Sequence, residues 1–169
     1  MIRSVGIVAN KRKPDIERII TDLVSWLGSS GISVSVWDEL AEIAKDCEPL
    51  ALEDLGSKSE LVIALGGDGT LLTAARAVGS ASIPILGVNI GSLGFLTEVS
   101  LEEMYDALEH ILKGEYEWED RMNIDASVWR QGKMVGSFTG LNDIVINKGA
   151  LSRVIELRME ADNHYLATY

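Results

Sequence analysis

Leu61-Val62-Ile63-Ala64-Leu65-Gly66-Gly67-Asp68-Gly69-Thr70 is the stretch on which the fold turns. Five apolar residues without alternation suit a strand buried on both faces, as in a parallel sheet; a strand with one face in water would alternate. The run ends on a glycine cluster, and Leu71 to Val78 behind it is helix-compatible, with Gly79 as its close. Strand, tight turn and helix in that order make one unit of a parallel sheet covered by helices.

Outward from this unit the same grammar repeats. Val5-Gly6-Ile7-Val8-Ala9 is a second apolar run suited to a buried strand. After Pro14, the residues Ile16, Ile19, Ile20, Leu23, Val24 and Leu27 recur at helical spacing, and Gly28 and Gly31 offer the stop. Ile32, Val34 and Val36 alternate with serines and predict a strand, whereas residues 39 to 60 predict a weak helix around Leu40 and Ile43 and then an irregular stretch. Ile85-Leu86-Gly87-Val88 is a further strand, followed by a loop from Asn89 to Val99. Ser100 and Glu103 form a capping box that opens a helix on Leu101, Met104, Tyr105, Leu108, Ile111 and Leu112, and Gly114 ends it.

After Trp118 the period becomes two. Met122, Ile124, Ala126 and Val128 alternate with polar residues, Arg130-Gln131-Gly132-Lys133 reads as a turn, and the pattern resumes over Ile144 to Ile146. Ile155, Leu157, Met159 and Ala161 carry it on through Asp162-Asn163. The expected division is an α/β domain over residues 1–98, which holds the glycine cluster, then a connecting helix and an incomplete β-rich domain over 99–169. Strand-like sequence still runs at Tyr169, so the chain is expected to be part of a longer protein and inactive on its own.

A 169-residue chain with 47% hydrophobic residues can bury a core. No apolar run approaches the length of a membrane span, and the expected location is the cytoplasm. Cys47 is the only cysteine, so no internal disulfide can form, and neither His110 nor His164 has a metal-type partner at a recognisable spacing. A net charge of -11 repels nucleic acid and anionic membrane, so a phosphate ligand has to be held by local donors.

The glycine cluster supplies such donors. Glycines let backbone N–H groups approach phosphate oxygens, and the following helix N-terminus adds partial positive charge. The cluster is neither a dinucleotide fingerprint, which needs a third spaced glycine, nor a Walker loop, which needs Gly-Lys-Ser/Thr. Asp68 then calls for its own account, because phosphates would repel a carboxylate. One account makes Asp68 or Thr70 a helix cap in a tight turn. The other makes Asp68 a general base that takes the proton of an attacking hydroxyl while the amides hold a diphosphate.

Gly66-Gly67-Asp68-Gly69-Thr70 resembles the hallmark shared by NAD kinases, lipid kinases of the diacylglycerol and sphingosine type and, more loosely, phosphofructokinases. Asn89-Ile90-Gly91-Ser92-Leu93-Gly94-Phe95-Leu96 resembles the second NAD kinase signature and Leu141-Asn142-Asp143-Ile144-Val145-Ile146 its Asn-Glu/Asp signature. Three motifs in order identify the chain with the NAD kinases, over its whole length. The resemblance implies phosphorylation of the adenosine ribose 2'-hydroxyl of NAD, with ATP or polyphosphate as donor, magnesium carried on the donor's phosphates and an assembly of identical chains. It implies no nucleic acid and no membrane. The alternatives are a lipid kinase, which the acidic composition disfavours, and a non-catalytic nucleotide-binding module.

Residue by residue, the resemblance makes Asp68 the proton acceptor and Gly66, Gly67, Gly69 and Thr70 the diphosphate contact. Phe95 would lie against the adenine, with core packing as the plain alternative. Asn142 and Asp143 would bind adenosine hydroxyls, with an ordinary turn as the alternative. Arg153 matches a position often basic near the substrate, and Lys148 lies close to it in sequence; both could equally be solvated charges. Thr73 departs from the family, where many members carry a basic residue, and Arg76 stands one turn later. The family's Gly-Ser-Thr-Ala-Tyr type segment is absent from these residues.

Overall fold

The structure, a computed structural model, describes residues 2–79, 81–91, 94–147 and 155–169. It consists of two compact units, Met1–Asp120 and Arg121–Tyr169.

The first unit is a six-stranded parallel sheet between helices. Its elements are β1 (Ser4–Ala9), α1 (Ile16–Ser29), β2 (Ser33–Trp37), β3 (Glu48–Leu50), α2 (Leu52–Lys58), β4 (Leu61–Gly66), α3 (Asp68–Val78), β5 (Ile85–Asn89), β6 (Val99–Ser100) and α4 (Met104–Lys113). The strand order is β3-β2-β1-β4-β5-β6, with every pair parallel. Every residue of β4 is buried, as the unbroken apolar run requires.

Strand periodicity divides the core between the two faces. Val5, Ile7, Leu61, Ile63 and Leu65 pack with Ile20, Leu23 and Leu27 of α1 and with Met104 and Leu108 of α4. Val8, Val62 and Ala64 pack with Leu55 of α2 and Ala74, Ala77 and Val78 of α3. Successive residues of one strand thus serve opposite helical layers. The burial of Met104 and Leu108 also places α4 in the first unit, so the compact units part at Asp120 and not at the residue-98 division read from the sequence.

Residues 39 to 60 differ most from the sequence reading. In place of a helix around Leu40 there is a single 3-10 turn, Asp38–Leu40, then β3 and α2. β3 has three residues and lies at the sheet edge, where Pro49 is tolerated and the periodic signal is too short to read. α2 has seven residues and contains Gly56, whose position is fixed by close packing and not by helix propensity.

The reciprocal bonds of the capping box form, but they close the turn of residues 101–103 ahead of α4, which begins at Met104 with Glu103 as an N-cap that makes no side-chain capping bond. Ser100 donates from N–H and Oγ to Glu103 Oε2, at 3.1 and 2.6 Å, and the Glu103 N–H returns a bond to Ser100 Oγ at 3.4 Å. Gly114 ends α4 in the left-handed region, at φ 80°.

The described residues of the second unit form two hairpins. β7 (Asn123–Arg130) pairs with β8 (Lys133–Leu141) across Gln131 and Gly132, both at positive φ, as a primed two-residue turn requires. β9 (Arg158–Ala161) pairs with β10 (His164–Thr168) across Asp162 and Asn163, which also have positive φ. These two residues reverse the chain instead of carrying the strand on, and Ile144 to Ile146 follow β8 outside any strand.

Candidate functional site

The strand order places a switch point between β1 and β4. β1 leads through α1 to β2 on one side, and β4 leads through α3 to β5 on the other, so the loops at their carboxyl ends separate and leave a crevice. The glycine cluster sits at this edge. A Cβ on Gly66 would collide with Thr70 Oγ1, so glycine there lets the buried Thr70 fold beneath the turn. Nothing lies within 4 Å of where a Cβ would stand on Gly67 or Gly69, and neither has positive φ. Neither packing nor backbone conformation therefore calls for glycine at those two positions.

The helix-cap account of Asp68 and Thr70 does not hold. Gly67 is the N-cap of α3 and no side chain caps it. The Asp68 carboxylate instead reaches across to the loop after β5. Its Oδ2 accepts the Phe95 N–H at 2.9 Å, and its Oδ1 accepts the Leu96 N–H at 3.0 Å, the Thr97 N–H at 3.3 Å and the Thr97 hydroxyl at 3.4 Å. The Phe95 amide first, and the Leu96 amide next, hold the carboxyl below the usual carboxylate range, because these bonds favour the charged form. A side chain on Gly94 would occupy the place of Asp68 Oδ1.

Behind Asp68 lies a buried polar chain that the sequence reading missed. Asn89, at the end of β5, donates from Nδ2 to Thr97 Oγ1 at 3.0 Å, and both residues are buried. The available signal was a polar residue closing an otherwise apolar strand.

Phe95 is 96% exposed, which excludes core packing and leaves its ring presented beside the Asp68 carboxylate's anchoring loop. Thr73 turns its hydroxyl onto the Gly69 carbonyl at 3.0 Å. Arg76 lies eight residues beyond Asp68 in α3, about 12 Å along the helix axis, and belongs to its last turn.

Asn142 and Asp143 lie in the second unit, at the end of β8. Asn142 has φ 79° and donates from Nδ2 to Asp143 Oδ2 at 3.1 Å, and both side chains are exposed. Arg153 and Lys148 lie outside the described residues. His110 bonds Glu115 at the exposed end of α4 and His164 bonds the Asp162 carbonyl in a hairpin, in keeping with surface and turn roles. No group of three or more His, Cys, Asp or Glu side chains suited to a metal occurs among the described residues. No helix among them is long and apolar enough to cross a membrane.

The family model of the ATP-NAD kinase N-terminal domain matches residues 5–116. The NAD kinase of Syntrophotalea carbinolica is 45% identical over 171 residues, covering 99% of this chain and 59% of its own length. That of Moorella thermoacetica is 42% identical over 168 residues, covering 99% of this chain and 54% of its own. The chain thus spans somewhat more than half the length of the curated relatives it matches. Among solved structures, yeast NADH kinase complexed with NADH superposes with a TM-score of 0.79 over 99% of this chain and 55% of that one. At 17% identity that likeness is one of fold.

Proposed function

This chain belongs to the NAD kinase family, and on that premise we propose that its protein transfers a phosphoryl group from ATP or polyphosphate to the adenosine ribose 2'-hydroxyl of NAD. The observation that carries this reading is the Asp68 carboxylate, anchored at the switch point beside two glycines that have no structural need to be glycine. Such glycines suit a ligand whose phosphates approach the backbone.

In this reading Asp68 is the proton acceptor. Among the described residues Oδ1 takes three of the four bonds to the carboxylate, which leaves a lone pair on Oδ2 for a substrate hydroxyl. The amides that depress its pKa keep it ionised at neutral pH. Its reduced proton affinity is compatible with phosphoryl transfer, where the transition state is loose and charge stabilisation outweighs the strength of the base. The proton passes to Oδ2 as the new oxygen–phosphorus bond forms and the donor's bridging bond breaks.

Gly67, Gly69 and the first turn of α3 hold the diphosphate, with Gly66 and Thr70 shaping the turn beneath. Phe95 stacks on the adenine, and Asn142 and Asp143 bind the adenosine hydroxyls. Magnesium would be carried on the donor's phosphates, where it would neutralise charge developing on the transferred group. Assembly from identical chains and a cytoplasmic location complete the proposal.

The complete protein, incubated with NAD, ATP or polyphosphate and magnesium, is expected to form NADP in a dehydrogenase-coupled assay. Asp68→Asn is expected to lower turnover by a factor of roughly 100 or more while NAD still binds. No NADP from the wild type with either donor would sink the reading, and full turnover in the variant would remove Asp68 from the chemistry.

A further inference from the structure

Among the described residues the four hydrogen bonds to the Asp68 carboxylate come from residues 95–97, and one of the four differs from the rest. Three are backbone N–H groups, which move with the loop that carries them. The fourth is the Thr97 hydroxyl, whose side chain is buried and held by the sheet on two sides. Asn89 Nδ2, at the end of β5, donates to Oγ1 at 3.0 Å. On the methyl side, a Cβ on Gly87 of the same strand would stand 3.2 Å from Thr97 Cγ2, so glycine there lets the methyl seat closely against β5. A β-branched side chain has few χ1 states, and contacts on both branches select one of them.

The chemistry of the three groups fixes the direction of their bonds. An ionised carboxylate only accepts, so the Thr97 hydroxyl gives Asp68 its single proton. Oγ1 then offers only lone pairs to its other neighbour, and the Asn89 amide meets them with Nδ2, which only donates. The opposite order would set the Thr97 lone pairs against the carboxylate charge. At 3.4 Å the bond from Thr97 to Oδ1 is long for a hydroxyl, so what it adds is direction more than strength. With the Leu96 and Thr97 amides it fills Oδ1 with donors, while Oδ2 takes the Phe95 amide. Asn89 pairs in register with Gly66, the last residue of β4 before the turn that carries Asp68. The chain from Asn89 through Thr97 therefore sets the carboxylate against the sheet, whereas the three amides set it against their own loop.

We propose that Thr97, backed by Asn89, is a positioning residue for phosphoryl transfer: its hydroxyl turns the Asp68 carboxylate so that Oδ2, and not Oδ1, meets the acceptor hydroxyl. The inference rests on the kinase reading above, in which Asp68 takes the proton. In that step the proton moves from the acceptor hydroxyl to Oδ2 as the oxygen bonds to phosphorus and the donor's bridging bond breaks. Thr97 and Asn89 neither gain nor lose a proton, because Thr97 keeps its own on the side of Oδ1. Both side chains are buried, so their effect reaches the substrates only through Asp68. A base that tilts out of line loses rate without releasing substrate, because the gain from proximity depends on alignment.

The test follows NADP formation by the complete protein in the coupled assay, with Thr97 substituted alone and together with Asp68→Asn. Thr97→Val keeps the shape and removes the hydroxyl. It is expected to lower kcat by about tenfold while KM for NAD and for the donor stay within about twofold, and Thr97→Ser to recover most of the loss. In the Asp68→Asn background the same Thr97→Val should change kcat by less than about twofold, because the group it positions is gone. Equal losses in the two backgrounds overturn the proposal, since Thr97 would then act on the fold and not through Asp68. Thr97→Ser no better than Thr97→Val overturns it as well, because the methyl and not the hydroxyl would matter. If Thr97→Val does not fold, Thr97→Ser and Thr97→Ala, which differ by the hydroxyl alone, read the same factor, and equal turnover in that pair overturns the proposal. If Asp68→Asn slows the wild type but Thr97→Val does not, the kinase reading stands and the positioning role falls. A wild type that forms no NADP overturns both.

Discussion

At the scale of the residue, Asp68 combines two tasks that pull on its proton affinity in opposite directions. Its bonds to the Phe95, Leu96 and Thr97 amides join the start of α3 to the loop after β5, and the same bonds lower its pKa. A carboxyl whose native pKa is depressed adds stability that is fully present above its unfolded value, about 3.9, and is lost as pH falls through the lower native value. Asp68→Asn removes the charge at nearly constant shape. The thermal midpoint of the variant is therefore expected to lie below that of the wild type at pH 7, and the gap to close as the pH is taken well below 4. A gap independent of pH would mean that the amides do not stabilise the charged form. Sequence alone pointed to Asp68 through its glycine neighbours, but its partners lie 27 to 29 residues away and only folding reveals them.

At the scale of the element, the close seating of α2 on α3 is decided by one glycine. A Cβ on Gly56 would come within 2.5 Å of the Ala77 carbonyl oxygen and 2.9 Å of Val78 Cα. In an isolated helix, replacing glycine by alanine stabilises by roughly 1 kcal/mol. Here the obstacle is backbone, which cannot swing aside, and overpacking of this kind costs about 1 to 3 kcal/mol. Gly56→Ala is thus expected to destabilise the protein, by up to about 2 kcal/mol net, in denaturant unfolding. A stabilised variant would show that the two helices separate easily. Because α3 carries Asp68 at its first position, such a shift would also reach the site.

At the scale of the whole molecule, the connection between the two compact units is the segment expected to yield first. Residues 114 to 122 are exposed and lie outside any helix or strand, between α4 and β7. Exposed segments of this kind are preferred sites of proteolysis. Brief digestion with a protease specific for glutamate is expected to cut at Glu115, Glu117 or Glu119 before it cuts within the parallel sheet, releasing a product that ends near the boundary of the first unit, as read by mass spectrometry. Early cleavage at Glu17 in α1 or Glu53 in α2 would contradict the division at Asp120.

The sequence by itself determined the elements whose signal is local: the unbroken strand β4, the amphipathic helices α1 and α4, the Ser100–Glu103 pair and a turn at Arg130-Gln131-Gly132-Lys133. Each rests on periodicity or backbone chemistry within a dozen residues, which is how far such signals reach. It also singled out Asp68, because a carboxylate in a glycine turn is an anomaly visible without coordinates, whereas Phe95 was marked only by the resemblance to the family. Only the tertiary structure decided what depends on residues distant in sequence. It placed α4 with the first unit, since Met104 and Leu108 fill a core begun by Val5 and Ile63. It made β3 a strand by pairing it with β2, a contact three residues are too short to announce. It joined Asn89 and Thr97 behind Asp68, because the parallel order of β4 and β5 brings their carboxyl ends to one edge.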